Sequence, residues 1–418
     1  MPLFHQMTKH SYMSIRQNNF YLDWDTQPKN YKQYPHFQKR IKIDDIEALD
    51  GLNLVGGITL ERTYPNGKYY LRTVPSAGGL FPFELYIQIR DIKGIADGIY
   101  HYEPYFRTLC LLEKITNDGL EHYFKNQKEQ KGFVFLISSV YFRSSWKYRD
   151  RSIRYIFLDS GHQLGSIYAS ICYMERVFSI DFDFDKLALN EKFCFRKDEM
   201  FMVSGKSSFE IDKTILDFAK NIPYSAPSDY LQENNFVYES YEKSANFNDN
   251  IIEKFNFFNS VSKEELKIAI LNRRSIREFR GLSIEKKSFE FIVDKIFEFA
   301  DSYNIEIFYT LHRVENKIQG LYKHNELLKE GDFSAKSRYL SLEQVLGGMS
   351  GVTFYFTSNE IEKYQKTYIL SGFLAHIIYI KCELQGVGCS GIGAYYDDEC
   401  KEFLGTDNNI LYLLAIGK

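Results

Sequence analysis

The sequence predicts an α+β protein of two tandem, related domains that fold against each other as an intramolecular pseudo-dimer. Three observations carry that expectation. The 418 residues, 44% of them hydrophobic, suffice for two full cores. Apolar runs of strand length alternate with longer runs of helical rhythm. The second half also repeats the first: Gly98-Ile99-Tyr100 matches Gly320-Leu321-Tyr322, Lys147-Tyr148 matches Lys363-Tyr364, Gly161 matches Gly372 and Tyr168 matches Tyr379. The offsets all lie between 211 and 222 residues. Chance supplies any one such pair, but four in the same order, each beside a similar apolar run, indicate an internal duplication.

Residues 1–40 are polar and aromatic, and Pro28 and Pro35 argue against regular structure, so an extended arm packing by its aromatics is expected. The first domain, 41–220, opens with Ile43, Ile46, Leu49 and Leu52 at helical spacing, ended by Gly56-Gly57. In RTVPSAGGLFPFELY, residues 72–86, a turn precedes an alternating apolar run, Phe81 to Ile89, which reads as a strand packed on one face. Ala77, Gly78 and Gly79 put little side chain over the backbone there. A flat ligand such as the edge of an isoalloxazine ring could take hydrogen bonds from the peptide N–H groups; a Gly-rich turn before a core strand is the alternative. Phe133 to Val140 reads as a buried strand. The stretch from Trp146 onward, apolar at 156, 157, 164, 167, 168 and 171, predicts a long buried helix. Residues 221–261 lack periodicity and read as a linker. In the second domain, 262–418, Ser262 to Ile270 predicts a short amphipathic helix and LNRRSIREFRGLSIEKK a basic turn opening a longer one. Ile305 to Leu311 and Val352 to Thr357 predict strands, and a second long helix runs on to Gly386.

A net charge of −3 with scattered Lys and Arg gives no footprint for nucleic acid or a membrane surface. Six cysteines without a C-x-x-C pair argue against an oxidised framework or a zinc site, so reduced thiols in a cytoplasm are expected, and no metal. MPLFHQMTKHSY lacks the apolar region of a signal peptide and no run approaches 18 apolar residues, so the expected protein is soluble and not exported by a cleaved signal. His162 reads as a structural histidine. Asp181, Asp183 and Asp185 read as solvated acids. Arg149, Asp150, Arg151 and Arg154 read as surface pairs rather than contacts to a peptide.

RRSIREF followed by the L-S-I-E-K helix resembles the opening of flavin-dependent nitroreductases. RTVPSAGGLFPFELY, GIYHYEP and WKYRDRSIRY-(x)5-GH, in that order, resemble the SagB-type peptide dehydrogenases of that superfamily, as does the LDWDTQP of the arm. The resemblance covers roughly residues 40 to 205 and 262 to 418. It implies two nitroreductase-like domains and an FMN lying in a dimer interface. The arginine-serine motif and late glycine loop then come from one subunit and the PS-x-G-type loop from the other. In this sequence Pro75-Ser76-Ala77-Gly78 stands in the first half without an R-x-S-x-R, and Arg273, Arg274, Ser275 and Arg277 stand in the second without a PSAGG. One FMN per chain is the expectation.

The resemblance also implies roles. Arg273, Arg274, Ser275 and Arg277 would hold the FMN phosphate, or are a solvated basic helix end. Gly391, Ile392 and Gly393 would let backbone pass close to the flavin ring, or are an ordinary turn. Pro75, Ser76, Ala77 and Gly78 would form the loop at the pyrimidine edge or N5, with Ser76, Ala77 and Gly78 as its donors. Lys147 and Tyr148 match the lysine-tyrosine pair of SagB-type enzymes, as base and proton relay, with Lys363 and Tyr364 as duplicate candidates; a common dipeptide is the alternative. The function implied is FMN-dependent dehydrogenation of an azoline in a ribosomally made peptide to a thiazole or oxazole, with a peptide substrate and a cyclodehydratase as partner. The alternatives are an NAD(P)H-dependent nitro- or quinone reductase and a non-catalytic scaffold with a degenerate flavin site.

Overall fold

The computed structural model describes residues 3–17, 21–64 and 67–418. The chain divides into two compact units. One holds Asp23–Lys254 with Ser262–Lys267; the other holds the arm through Leu22, Phe255–Val261 and Ile268–Lys418.

The arm is not simply extended: it carries two one-turn helices, α1 (Leu3–Met7) and α2 (Tyr12–Arg16), the second closed by a capping box between Ser11 and Ser14. They belong to the C-terminal unit.

The N-terminal unit is built on an antiparallel sheet of β1 (Arg40–Lys42), β4 (Phe83–Arg90), β5 (Gly98–Glu103), β6 (Thr108–Lys114), β7 (Lys128–Ser139), β8 (Ser179–Asp181) and β9 (Met200–Thr214), in the order β1-β6-β5-β4-β7-β9-β8. A separate hairpin pairs β2 (Ile58–Tyr64) with β3 (Gly67–Arg72). The expected helix between Ile41 and Leu54 does not form. Its apolar residues recur every third position, the period of a 3₁₀ turn rather than 3.6, and the segment runs as β1 followed by three short 3₁₀ turns that bury Ile43, Leu49 and Leu52. β7 begins five residues before its apolar run, because Lys128–Lys131 extend the pairing with the exposed end of β9.

The helical stretch after β7 is two helices, α3 (Tyr141–Tyr148) and α4 (Ser152–Tyr173), broken at Arg149, whose φ of 48° cannot continue a helix. Every residue of α4 except Cys172 is buried, so it has no solvent face. Arg151 and Arg154, expected on a surface, are buried at 5% and 1% exposure. α5 (Lys186–Lys192) follows, capped by the Asp185 carboxylate on the Ala188 N–H. Asp181, expected in solvent, is buried in an ion pair with Lys206 at 2.6 Å. The expected linker also holds structure: α6 (Asn235–Ala245), capped by Asn234, buries Val237, Tyr241 and Ala245, a stripe too narrow to show as periodicity.

β4 is buried on both faces, because its polar residues are all paired. Arg143 on α3 donates to Glu84 Oε1 at 2.6 Å and to the Phe81 carbonyl at 3.0 Å, and His101 Nε2 lies 2.9 Å from Glu84 Oε2. Burial alone would raise Glu84, but Arg143 and His101 outweigh it and hold it at about 2. Lys32 Nζ donates to Glu199 at 2.8 Å and to the Tyr86 hydroxyl at 3.0 Å, with both charges of the pair fully buried.

α7 (Lys263–Asn272) leads to the C-terminal unit, which holds α8 (Lys286–Val293), α9 (Ile296–Asp301), β10 (Glu306–Leu311), β11 (Gly320–Lys323), β12 (Glu326–Glu330), α10 (Ser334–Leu340), α11 (Val345–Met349), β13 (Val352–Ser358), α12 (Tyr364–Leu384), β14 (Gly388–Ile392), α13 (Asp397–Leu404) and β15 (Asn409–Gly417). Its antiparallel sheet, β12-β11-β10-β13-β15-β14, repeats the strand order β6-β5-β4-β7-β9-β8. In both units the strand β7 or β13 leads to a long buried helix, then an edge strand, a short helix and the last strand. Gly161 and Gly372 stand at corresponding points of α4 and α12, as do Tyr168 and Tyr379. The two Lys-Tyr pairs do not correspond: Lys147-Tyr148 ends α3, whereas Lys363-Tyr364 opens α12. The arm packs on this opening. His5 Nδ1 lies 2.8 Å from the Tyr364 hydroxyl, Phe4 meets that ring edge-on, and Lys9 pairs with Asp398 at 2.6 Å.

Replacing Glu199 by Gln strands the Lys32 ammonium in the core. The expected loss is about 3–5 kcal/mol of stability, read from denaturant midpoints; a loss under about 1 kcal/mol would show the pair to be dispensable.

Candidate functional site

In the N-terminal unit the site is shaped by one carboxyl group. Asp159, in the second turn of α4, accepts the Ser76 hydroxyl at 2.6 Å and the Ala77 N–H at 3.2 Å. Ser76 Oγ in turn accepts the Phe81 N–H at 2.9 Å. Ser76 and Ala77, expected to donate to a ligand, therefore spend those donors inside the protein, and what they do is hold the loop. Pro75 is buried beneath it, and Gly78 is carried outward at its exposed tip. Ala77–Gly79 forms a single 3₁₀ turn in which Gly78 has φ 65°, a conformation that favours glycine. Burial pushes the Asp159 carboxyl up to about 7, against the lowering effect of its Ser76 and Ala77 bonds.

Lys147 and Tyr148 stand beside this tip. A Cβ built on Gly78 would lie 2.6 Å from the Tyr148 hydroxyl and 3.3 Å from Lys147 Nζ, so both polar groups converge on the Gly78 peptide. The Tyr148 ring is held edge-on to Tyr155 of α4 at 4.6 Å. Lys147 Nζ sits 5.2 Å from the Trp24 ring and 5.5 Å from that of Tyr148. Arg143, one helix face earlier on α3, ties the helix to β4 and to Phe81 at the end of the loop. The duplicate candidate is placed differently: Tyr364 is 1% exposed, with its hydroxyl against His5.

In the C-terminal unit the basic motif lies along the edge strand β14. Ser275 bridges Cys389 in parallel, and the Ile276 N–H donates to the Cys389 carbonyl at 3.0 Å. Tyr379 on α12 gathers the motif and the glycine loop together. Its hydroxyl is 3.0 Å from Ser275 Oγ and accepts the Gly391 N–H at 2.7 Å, and the Arg273 guanidinium lies 5.3 Å from its ring. Arg273 is buried, which brings it down to about 10; burial takes the Tyr379 phenol up to about 12. Arg274 is turned back onto the Leu271 and Arg273 carbonyls, and Arg277 is exposed. Gly391 has a packing reason that the sequence hides: a Cβ there would fall 1.8 Å from the Tyr412 hydroxyl. Ile392 is buried in the core and Gly393 is partly exposed.

Sequence reasoning missed Asp159 and the role of Tyr379. An acid directly after Ile156-Phe157-Leu158, inside an otherwise apolar helix, was the available signal for the first; nothing in a Tyr-rich chain marks the second.

Residues 270–418 match the profile of the Nitroreductase family. They form a nitroreductase-family domain. The chain is 30% identical over 118 residues to a candidate nitroreductase of Methanocaldococcus jannaschii, covering 27% of this chain and 54% of that one. It is 29% identical over 127 residues to the trifolitoxin-processing protein TfxB of Rhizobium leguminosarum bv. trifolii, covering 28% and 33%. The match thus spans about half the length of the first relative and a third of the second. A solved structure of a candidate nitroreductase from Anabaena variabilis superposes with a TM-score of 0.81 at 22% identity, over 99% of this chain and 98% of that one, so the whole chain shares that fold. These similarities agree with a member of the nitroreductase superfamily. No helix among the described residues is long and apolar enough to cross a membrane.

Nitroreductase-family proteins generally use FMN. The donor chemistry of the nitroreductase domain fits its phosphate: buried Arg273, Arg274 beside it and the Ser275 hydroxyl are the fork-and-hydroxyl set a dianion needs.

Because folding favours neutral Asp159, its contribution to stability is greatest near pH 4 and declines as pH rises toward 7, by up to about 1.4 kcal/mol per unit. Asp159→Asn stays neutral. The wild-type midpoint in urea is expected to fall relative to the variant's over that range; parallel curves would show that Asp159 titrates as an ordinary acid.

Proposed function

We propose that this protein is an FMN-dependent dehydrogenase that oxidises an azoline ring in a ribosomally made peptide to the azole. The observation that carries the reading is the convergence of Lys147 Nζ and the Tyr148 hydroxyl on Gly78 at the outward tip of the Asp159-anchored loop. Two proton-carrying side chains stand at the small-residue tip, in the space a side chain at Gly78 would fill. The name of TfxB, a trifolitoxin-processing protein, supports a role in processing a natural product.

FMN, when bound, supplies the two-electron acceptor. The chain's own residues do the rest. Arg273, Arg274 and Ser275, with Arg277 from the exposed side, would hold the FMN phosphate. The azoline must lose a hydride and a proton to become aromatic. Lys147 takes the proton from the ring carbon and Tyr148 passes it toward solvent, its ring fixed against Tyr155 so that the hydroxyl stays at the tip. Pro75, Ser76 and Ala77 position the loop through Asp159, and Gly78 presents the peptide plane. The R-x-S-x-R motif occurs once in the sequence, so we propose one FMN per chain. The substrate is a peptide and a cyclodehydratase is the partner that would supply its ring.

Flavin absorbance against protein concentration is expected to give one FMN per chain; two would refute the division of labour. Lys147→Ala is expected to keep FMN and lose about 10²–10⁴-fold in turnover of a thiazoline peptide. Unchanged turnover would remove Lys147 from the mechanism. Rapid flavin bleaching by NAD(P)H without oxygen would instead favour a nitro- or quinone reductase.

A further inference from the structure

Trp24 is one of two tryptophans in the chain and is 58% exposed, yet it is held on all its inner contacts. It opens a 3₁₀ turn, Trp24–Thr26, capped by the Asp23 carboxylate on the Asp25 N–H at 3.1 Å. Thr26 accepts the Trp146 indole N–H at 2.9 Å, and its carbonyl accepts the Tyr230 hydroxyl. The Trp146 ring meets Trp24 edge-on, at 5.7 Å and 74°. Lys147 Nζ lies over one face of the Trp24 ring, 5.2 Å from its centroid, and 5.5 Å from the centre of the Tyr148 ring. Trp24 is thus an exposed indole with an ammonium over one face, on a turn tied by three side-chain hydrogen bonds. Scattered exposed apolar side chains need no such support.

We propose that the indole of Trp24 is the platform on which the substrate's five-membered ring lies, next to Lys147. The proposal rests on the dehydrogenase reading and names how its substrate is recognised. Indole faces stack flat, uncharged heterocycles, and both the azoline substrate and the azole formed from it are flatter than the open-chain peptide before cyclisation, so a thiazole peptide, the product form, serves as a stable probe of the platform. The platform therefore selects cyclised segments over uncyclised ones.

The test uses the full chain and a short capped peptide carrying one thiazole, with the same peptide carrying uncyclised cysteine as comparison. Calorimetry is expected to show the thiazole peptide binding more tightly than the cysteine peptide. Trp24→Leu should weaken the thiazole peptide roughly 2- to 12-fold and erase the preference, with Trp24→Phe in between. Quenching of indole fluorescence by the thiazole peptide should survive Trp146→Phe and vanish in Trp24→Phe. Equal affinity of Trp24→Leu and Trp24→Phe with the unsubstituted chain would overturn the platform, as would failure of the unsubstituted chain to bind. Turnover of a thiazoline peptide separates the two claims. If the platform results hold and turnover is absent, the dehydrogenase reading falls alone; if turnover is present and Trp24 is indifferent, the platform falls alone.

Discussion

A carboxyl group with no solvent around it is costly to keep, and Asp159 is kept because it closes a chain of hydrogen bonds that nothing else in the loop could replace. Its oxygens take the Ser76 hydroxyl and the Ala77 N–H, and Ser76 takes the N–H of Phe81, two residues before β4. Helix, loop and strand are thereby one body. Removing any member leaves buried polar groups unpaired, at about 1–3 kcal/mol each. The outward placing of Gly78 follows from this anchoring. So does its need to be glycine, since the Tyr148 hydroxyl occupies the space where a side chain would begin.

The C-terminal unit solves the same problem with a different group at a different place. Its long helix α12 uses a phenol, Tyr379, to hold Ser275 and Gly391, where α4 uses a carboxyl group nine residues earlier in the repeat. The duplicated position of Tyr379 is Tyr168, which is likewise buried. Equal strand orders give each helix the same station against its sheet, so each copy could anchor a different loop without changing fold. Divergence acted on which polar group each helix carries. It left the antiparallel register of the sheets intact.

What was legible in the sequence is what burial writes as a run: Phe133 to Val140, the apolar rhythm of α4 and α12, and the order of repeated motifs. What was hidden is what burial achieves by pairing. β4 alternates Glu84, Gln88 and Arg90 with apolar residues and reads as half exposed, yet every residue is inside, where Arg143 pairs with Glu84, Glu121 with Arg90 and the Leu120 N–H with Gln88 Oε1. Asp181 was read as solvated for the same reason. The site showed the same limit: the loop, the basic motif and the Lys-Tyr pair were visible as strings. That Ser76 and Ala77 point inward was not, since their partner Asp159 lies more than eighty residues away. The helix expected at Ile43 failed on period alone, three residues having been taken for 3.6.

The first forty residues show how one composition can serve two tasks. Residues through Leu22 belong to the C-terminal unit, where His5 and Lys9 engage Tyr364 and Asp398; those from Asp23 belong to the N-terminal unit. There Lys32 is driven fully inside by Glu199 and Tyr86, its backbone N–H donates to Glu84, and the Tyr34 N–H donates to Glu103. Two buried anchors, Lys32 and Tyr34, fix the far end of the segment that begins at Trp24, while Thr26 fixes the near end through Trp146 and Tyr230. On the proposed reading of Trp24, an indole already fixed would receive a flat ring without freezing further rotamers, each of which subtracts from affinity. The buried charge of Lys32, costly by itself, is therefore part of what makes an exposed indole eight residues away a rigid one.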